Sequence, residues 1–272
     1  MLYAAAFLVF LAGLVLFVFP LRTAEWFAWT VNPPMTAVFL GAAYWASAGL
    51  EVTGARSATW ASARLAVWPV FIFTTLTLAV TLLHLDRFHL SPANGLLAQV
   101  ATWAWLAIYA IVPVAMGVIS RMQIRSGRPG PKSATAGAPV LPPALRLLLE
   151  GNAVVLQLYV AALLAVPALA AAWWPWPLSE LTARAVGAWL VGLGWSAAQG
   201  QSSGDRRSVR PVALTSVAFV ILQALALLRY GDAVIWQSVQ GIGFVTVLVA
   251  IGVAGVWALA LSGSPAAGAR IR

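Results

Sequence analysis

The sequence predicts an all-α, polytopic integral membrane protein, and its composition and hydropathy pattern carry this prediction. Of the 272 residues, 62% are hydrophobic and only 8% are charged, and the mean hydropathy is +0.90. The apolar residues form continuous stretches of about 20 residues, the length that a helix needs to cross a bilayer core of roughly 30 Å. Strands of a membrane barrel are about half as long and alternate in polarity, so they do not fit. The composition also excludes a water-soluble globular domain.

Eight stretches are candidate transmembrane helices: residues 2–19, 34–50, 64–85, 96–119, 147–172, 183–198, 211–228 and 233–261. The first is predicted to be a span and not a secretory signal, because no basic residue precedes it and no small-x-small cleavage site follows it. Residues 121–146 contain five prolines among glycine, serine and basic residues, which predicts a water-exposed linker.

Aromatic residues cluster in the loops after the first and fifth spans. They are Trp26, Phe27 and Trp29 in one loop, and Trp173, Trp174 and Trp176 in the other. Such rings are typical of the headgroup region, and residues 23–30 are predicted to form a short helix lying in the outer interface. Alternatively, these rings line an access route for a lipid or another apolar ligand.

An ungapped shift of 146 residues aligns the two halves of the chain. It brings Thr36, Ala37, Gly41 and Ala42 onto Thr182, Ala183, Gly187 and Ala188, and it also pairs Phe73 with Phe219 and Asp86 with Asp232. We therefore predict two four-helix repeats, at residues 1–120 and 147–266, followed by a basic tail at 267–272. Because each repeat has an even number of spans, the repeats are predicted to be parallel, with a pseudo-twofold axis along the membrane normal.

Basic residues predict the orientation of the chain. Of the 16 Lys and Arg residues, 12 fall on one side of the eight-span arrangement: Arg56, Arg64, Arg121, Arg125, Arg128, Lys132, Arg146, Arg206, Arg207, Arg210, Arg270 and Arg272. By the positive-inside rule both termini are predicted to be cytoplasmic. The net charge of +9 then indicates contact with anionic lipid headgroups at that face and not with nucleic acid.

Small residues mark the second and sixth spans. Ala37 with Gly41, and Ala183 with Gly187, have the small-x3-small spacing that lets helices approach closely. We predict that both helices are buried in helix packing. The alternative is that small side chains leave room for a substrate path.

Few residues suit the chemistry of membrane enzymes. The single lysine lies in the linker, which excludes a retinal Schiff base within a helix, and two histidines exclude a haem protein with several axial histidines. There is no cysteine, no phosphate-binding glycine loop and no zinc-binding His-Glu-x2-His helix. The sequence predicts no cofactor and no resident metal, and an enzyme is the less favoured class.

One polar cluster remains as a ligand or proton site, at the outer end of the third span. It consists of His84, Asp86, Arg87 and His89, and the repeat adds Asp232 at the matching end of the seventh span. Residues five apart on a helix point about 140° from each other, so the two imidazoles reach one metal ion only if the helix ends between them. The favoured interpretation is a polar helix end at the interface, with Asp86 and Arg87 solvated, and the ligand or proton site is the alternative.

Polar residues inside the spans are few, and they are the candidates for lining a cavity: Thr74, Thr77, Thr81, Gln99, Gln157 and Gln223. Glu150 is the one acid that we expect near the membrane, as a proton site or, preferably, as the i,i+4 partner of Arg146.

Three functions follow from this inventory. The first is a non-enzymatic packing or scaffold subunit that contacts lipids, partner helices or further copies of the chain, with a filled interior. The second is a transporter or channel for a neutral or hydrophobic solute between the repeats, with a cavity lined by the threonines and glutamines. The third is an enzyme or metal site at the outer face, which requires His84, Asp86, Arg87 and His89 to converge on one pocket.

Overall fold

The computed structural model describes residues 2–57, 60–125, 141–202 and 206–263. In these ranges the chain is helical without a β-strand, and one isolated antiparallel bridge joins Trp29 to Phe88. Six of the described helices are long and apolar enough to cross a membrane, or seven if a bent pair within residues 2–26 counts as one span. They indicate a multi-pass membrane protein.

The described part of the first half contains α1 (Leu2–Gly13), α2 (Thr23–Trp26), α3 (Pro34–Ala55), α4 (Trp60–Leu83) and α5 (Leu96–Arg125). The second half contains α6 (Pro143–Ala165), α7 (Pro167–Ala171), α8 (Glu180–Ser202), α9 (Arg206–Tyr230) and α10 (Val239–Gly263). α3 and α5 run past their predicted ends at residues 50 and 119, which places Glu51 inside α3.

Prolines end the first long helix of each half. α1 continues into a π-helical turn and breaks before Pro20, and α6 breaks before Pro167. A proline has no N–H to continue the helix and restricts the residue before it, so Phe19 and Val166 take non-helical conformations. The chain bends by 97° at the first break. The short helix predicted over 23–30 covers only α2, because the chain is extended from Phe27.

α3 and α8 form the centre of the bundle. α3 packs against α1, α4 and α9, and α8 packs against α4, α6 and α9. α5 lies against α4, while α10 lies against α9 and α6. Within its span, 72% of α3 is buried in the protein, compared with 11% of α6, so α3 is shielded from lipid and α6 faces it.

α8 is not among the six helices that meet the length and hydropathy criteria for a span. Glu180 and Arg184 lie in its first turns, and Gly, Ser and Gln replace aliphatic residues toward its end. Because α4, α6 and α9 surround it, α8 contacts other helices and needs fewer lipid-soluble side chains.

Small residues let α3 and α8 approach the first long helix of their own half. A Cβ atom at Gly41 would lie 2.6 Å from the backbone nitrogen of Phe17, and one at Gly187 would lie 3.2 Å from side-chain atoms of α6. Ala37 and Ala183, one turn earlier, are completely buried. The two glycines therefore allow close packing against the first long helix of each half.

Candidate functional site

A large apolar groove lies between α6, α7 and α10. Its volume is about 640 Å³, within the range of about 300–1,000 Å³ that is typical of small-molecule sites. Its floor is formed by buried side chains from three other helices: Phe39 of α3, Leu190 of α8 and Phe219 of α9. The groove thus joins the lipid-facing side of the protein to its core.

Aromatic residues fix one wall of this groove. Trp174 stacks on Tyr159, with ring centroids 5.8 Å apart and planes 11° from parallel, and the Tyr159 hydroxyl donates to the carbonyl of Ala170 at 3.1 Å. The indole N–H of Trp176 donates to the hydroxyl of Thr36 at 3.0 Å, which ties the loop after α7 to α3. The wall is therefore held in place by the protein's own contacts.

The tryptophans that follow the first long helix of each half divide into buried and exposed residues. Trp26 and Trp173 are exposed, as expected for rings at headgroup depth, but Trp29, Trp174 and Trp176 are buried. The loops fold back onto the helices, so these three pack inside the protein and do not form part of an aromatic belt. Trp173 and Trp174 line the groove, which agrees with the alternative that these rings border an access route for an apolar ligand.

The groove offers almost no polar chemistry. Among the described lining side chains, Gln240 carries the only amide, and the Tyr159 hydroxyl already donates to the Ala170 carbonyl. Trp173 and Trp174 add indole N–H groups, of which that of Trp174 is buried without a hydrogen-bond partner. The other lining side chains carry no polar atom. An unpaired polar group placed there would lose its hydrogen bonds to water without replacement. The surface therefore suits an apolar occupant.

The segment after α2 forms a filled aromatic cluster with residues near α5. Trp29 contacts Phe27, Phe88 and Trp105 with ring centroids 4.8, 5.2 and 4.9 Å apart. All four rings are buried. Edge and tilted contacts of this kind add packing free energy beyond area burial.

His89 forms two hydrogen bonds to the segment that carries this cluster. Its Nδ1 lies 2.9 Å from the carbonyl oxygen of Phe27, and its Nε2 lies 3.0 Å from the hydroxyl of Thr30. Because a carbonyl only accepts, Nδ1 donates to it and Nε2 accepts from Thr30. Both ring nitrogens of His89 therefore contact the segment that contains Phe27 and Thr30.

His84 takes part in a different contact, where the C-terminal end of α4 meets the N-terminal end of α8. Arg184 Nη1 donates to His84 Nε2 at 2.7 Å and lies 3.4 Å from a carboxylate oxygen of Glu180. Burial, followed by the positive charge of Arg184, lowers the pKa of His84 below its ordinary value. The neutral imidazole is therefore the form that accepts from this guanidinium.

Arginines also cap the two helices that break at proline. Arg184 Nε donates to the carbonyl of Leu164 at 3.2 Å, near the end of α6. Arg229 donates to the carbonyl of Phe17 at 2.6 Å and lies over the Phe17 ring. Helix C-termini leave carbonyls without intrahelical partners, and a guanidinium satisfies them.

The other charged candidates lie on the surface. Asp86 pairs with Arg87 at 3.0 Å, both exposed, and Asp232 is also exposed. Glu150 pairs with Arg146 at 2.7 Å, one helical turn away. Among the described residues no group of three or more His, Cys, Asp and Glu is arranged to hold a metal. The outer cluster does not converge on one pocket.

The polar residues expected to line a cavity lie within the helix packing, and two of them, Thr77 at Oγ1 and Gln223 at Oε1, have buried oxygens without a hydrogen-bond partner. Thr74 and Thr81 donate to helix carbonyls one turn earlier, both at 2.7 Å, and Gln99 donates to the carbonyl of Asn94 at 2.6 Å. Gln223 is completely buried and donates to the carbonyl of Phe39 at 3.1 Å. Thr77 is buried in α4, and Gln157 contacts α8 at Gly194. None of the six lines the groove.

Sequence reasoning missed one buried acid, Glu51. The predicted second span ends at residue 50, but α3 continues to Ala55, so Glu51 lies within the helix. Glu51 is only 5% exposed and faces a second cavity of about 40 Å³, where α3, α4, α8 and α9 meet. The apolar residues Val52 and Ala55, which follow Leu50, were the sequence signal that the helix continues past Glu51.

Comparison of the chain with protein-family models, with curated proteins and with solved structures returned no match.

Proposed function

We propose that this protein is a non-enzymatic multi-pass membrane subunit that holds an apolar lipid chain in the groove between α6, α7 and α10. The observation that carries the proposal is the groove itself, with a volume of about 640 Å³ and a lining of carbon-rich side chains on the lipid-facing side of the molecule. Since lipid tails are as apolar as these walls, the occupant gains packing contacts and not hydrophobic free energy when it leaves the bilayer.

We further propose that the chain consists of two parallel four-helix repeats, with eight spans in all. The shift of 146 residues carries α3 onto residues 180–201, and α8 is Glu180–Ser202. It carries α4 onto residues 206–229, and α9 is Arg206–Tyr230. The packing of α3 on α9 and of α8 on α4 agrees with an exchange of partners about a pseudo-twofold axis.

The repeat gives a physical reason for the groove. Under the same shift, Tyr44 and Phe73 correspond to the floor residues Leu190 and Phe219, and Trp105 corresponds to the wall residue Ile251. In the first half Trp105 and its aromatic neighbours cover this position. In the second half Ile251, which is smaller than a tryptophan, leaves this space free as part of the groove. The difference between the halves supports a function that the second half alone performs.

The proposed orientation places both termini in the cytoplasm. It rests on the 12 basic residues that fall on one side of the eight-span arrangement. The groove then lies in the outer half of the bilayer, because its lining comes from the C-terminal half of α6 and the N-terminal half of α10. Anionic lipids at the inner face and partner membrane helices or further copies of the chain are the proposed contacts elsewhere.

Filling the groove tests the proposal. A Cβ at Gly243, which lines the groove, would meet nothing within 4 Å, and the same holds for Gly151 on the exposed surface of α6. We expect Gly243→Trp to lose the lipid that wild type retains through purification in mild detergent, as measured by native mass spectrometry. Gly151→Trp is the matched control and should retain it.

Equal lipid retention in wild type and both variants would contradict a lipid-holding groove. Loss of a recurrent partner chain from Gly243→Trp alone would instead identify the occupant as a partner helix. Melting temperatures of the two variants serve as the check that neither change disturbs the fold.

Transport of a neutral solute between the repeats is the second candidate, and it has less support. The central cavity of about 40 Å³ holds roughly one water molecule, so a solute path requires the four central helices to separate. An outer-face enzyme has the least support, because the imidazoles of His84 and His89 contact different elements.

A further inference from the structure

The cavity at the meeting point of the four central helices presents hydrogen-bond acceptors. Its described lining includes Ser47 and Glu51 of α3 and Thr215 of α9. The Ser47 hydroxyl donates to the carbonyl of Tyr44 at 2.9 Å, and the Thr215 hydroxyl donates to the carbonyl of Pro211 at 3.1 Å. Because each hydroxyl has committed its proton, both oxygens offer lone pairs to whatever occupies the cavity.

Glu51 contributes the charge of this site. Its Oε2 is buried and has no hydrogen-bond partner in the described part of the chain. An ionised carboxylate taken out of water is stable only if a positive charge accompanies it, and an acid within a membrane span marks a proton or ion site. Tyr44 and Tyr109 are the titratable neighbours on its own side of α3 and on α5, and their hydroxyls bond each other at 3.1 Å.

We propose that Glu51, Ser47 and Thr215 form an intramembrane site that binds one monovalent cation, either a proton or Na⁺, in exchange with the aqueous phase. The volume of about 40 Å³ admits one water-sized species, and oxygen ligands suit hard cations. α3 ends at Ala55, so Glu51 lies about 6 Å inside the helix end. The carboxyl therefore lies close to the end of α3.

Two measurements on the purified full-length chain distinguish the two cations. If the site takes a proton, infrared difference spectra recorded across a pH titration contain a protonated-carboxyl band that Glu51→Gln removes. If it takes Na⁺, the melting temperature rises when Na⁺ replaces choline at constant ionic strength, and Glu51→Gln abolishes the rise. Glu150→Gln, which alters an exposed carboxylate paired with Arg146, is the matched control and should behave as wild type.

Ser47→Ala and Thr215→Val provide independent variants if Glu51→Gln fails to fold. Each removes one oxygen ligand while keeping the carboxylate, so each should reduce the Na⁺-dependent rise or displace the pH at which the carboxyl band appears. If the band and the melting temperature are the same in wild type and in every variant at this site, the proposed cation site is refuted. The groove proposal is unaffected by that result, because the groove has different lining residues.

Discussion

Close packing of α3 against the first helix depends on Gly41, and Gly41→Ala measures that dependence. The added Cβ would lie 2.6 Å from the backbone nitrogen of Phe17, 2.8 Å from its Cβ and 3.0 Å from the carbonyl carbon of Leu16. Favourable carbon contacts begin near about 3.5 Å, so α3 and the π-helical turn that follows α1 must separate by roughly 1 Å. Backbone atoms cannot rotate away as a side-chain end does. We expect a loss of about 1–3 kcal/mol in the free energy of unfolding, the usual cost of overpacking.

Gly49→Ala is the matched control for this substitution. Gly49 lies in the same helix, and a Cβ there would meet nothing within 4 Å. Alanine should therefore be neutral or stabilise the helix by up to about 1 kcal/mol. Reversible unfolding in mixed detergent micelles, followed by tryptophan fluorescence, gives both values. Equal free energies of unfolding for the two variants would refute the proposed close contact.

Three further predictions concern the polar contacts. Arg229→Ala should lower the free energy of unfolding by about 1–2 kcal/mol because it removes the donor to the Phe17 carbonyl. Arg87→Ala, at an exposed ion pair, is the control and should change the free energy of unfolding by less than about 0.5 kcal/mol. Equal effects of the two substitutions would contradict the cap. Trp176→Phe should cost about 1–2 kcal/mol by leaving the buried Thr36 hydroxyl without its donor, and unchanged chemical denaturation would argue against this bond. The pKa of His84 is lowered in the folded protein, so its contribution to stability is complete above the unfolded pKa of about 6.5 and declines as the pH falls. The melting temperature of His84→Gln should therefore fall less on acidification than that of wild type.

The helical elements were largely predictable, because each span needs a continuous apolar stretch and prolines interrupt it. The breaks before Pro20 and Pro167 follow from the missing N–H and from steric restriction of the preceding residue. The predicted end of the second span, at residue 50, is too early, because α3 continues through Glu51 to Ala55. A single acid is tolerated within a buried helix when a cavity accompanies it, and hydropathy alone does not show the cavity.

The candidate site was less predictable than the helices. The sequence pointed to His84 and His89 as a cluster, but each contacts a carbonyl, hydroxyl or guanidinium from a distant part of the chain. The residues of the groove, such as Phe244 and Leu190, are ordinary apolar residues in the sequence. Nothing in their identity distinguishes a groove wall from a filled core.

By itself the sequence determined that the chain is helical and membrane-embedded, since apolar stretches of this length satisfy their backbone hydrogen bonds in a bilayer only as helices. It also determined where small residues permit close helix contact. Only the tertiary structure decided that Trp174 and Trp176 turn inward, that the groove lies between α6, α7 and α10, and that Glu51 faces a cavity. Each of these depends on which side chains from distant segments occupy the same space, a property of packing that hydropathy and spacing along one chain do not encode.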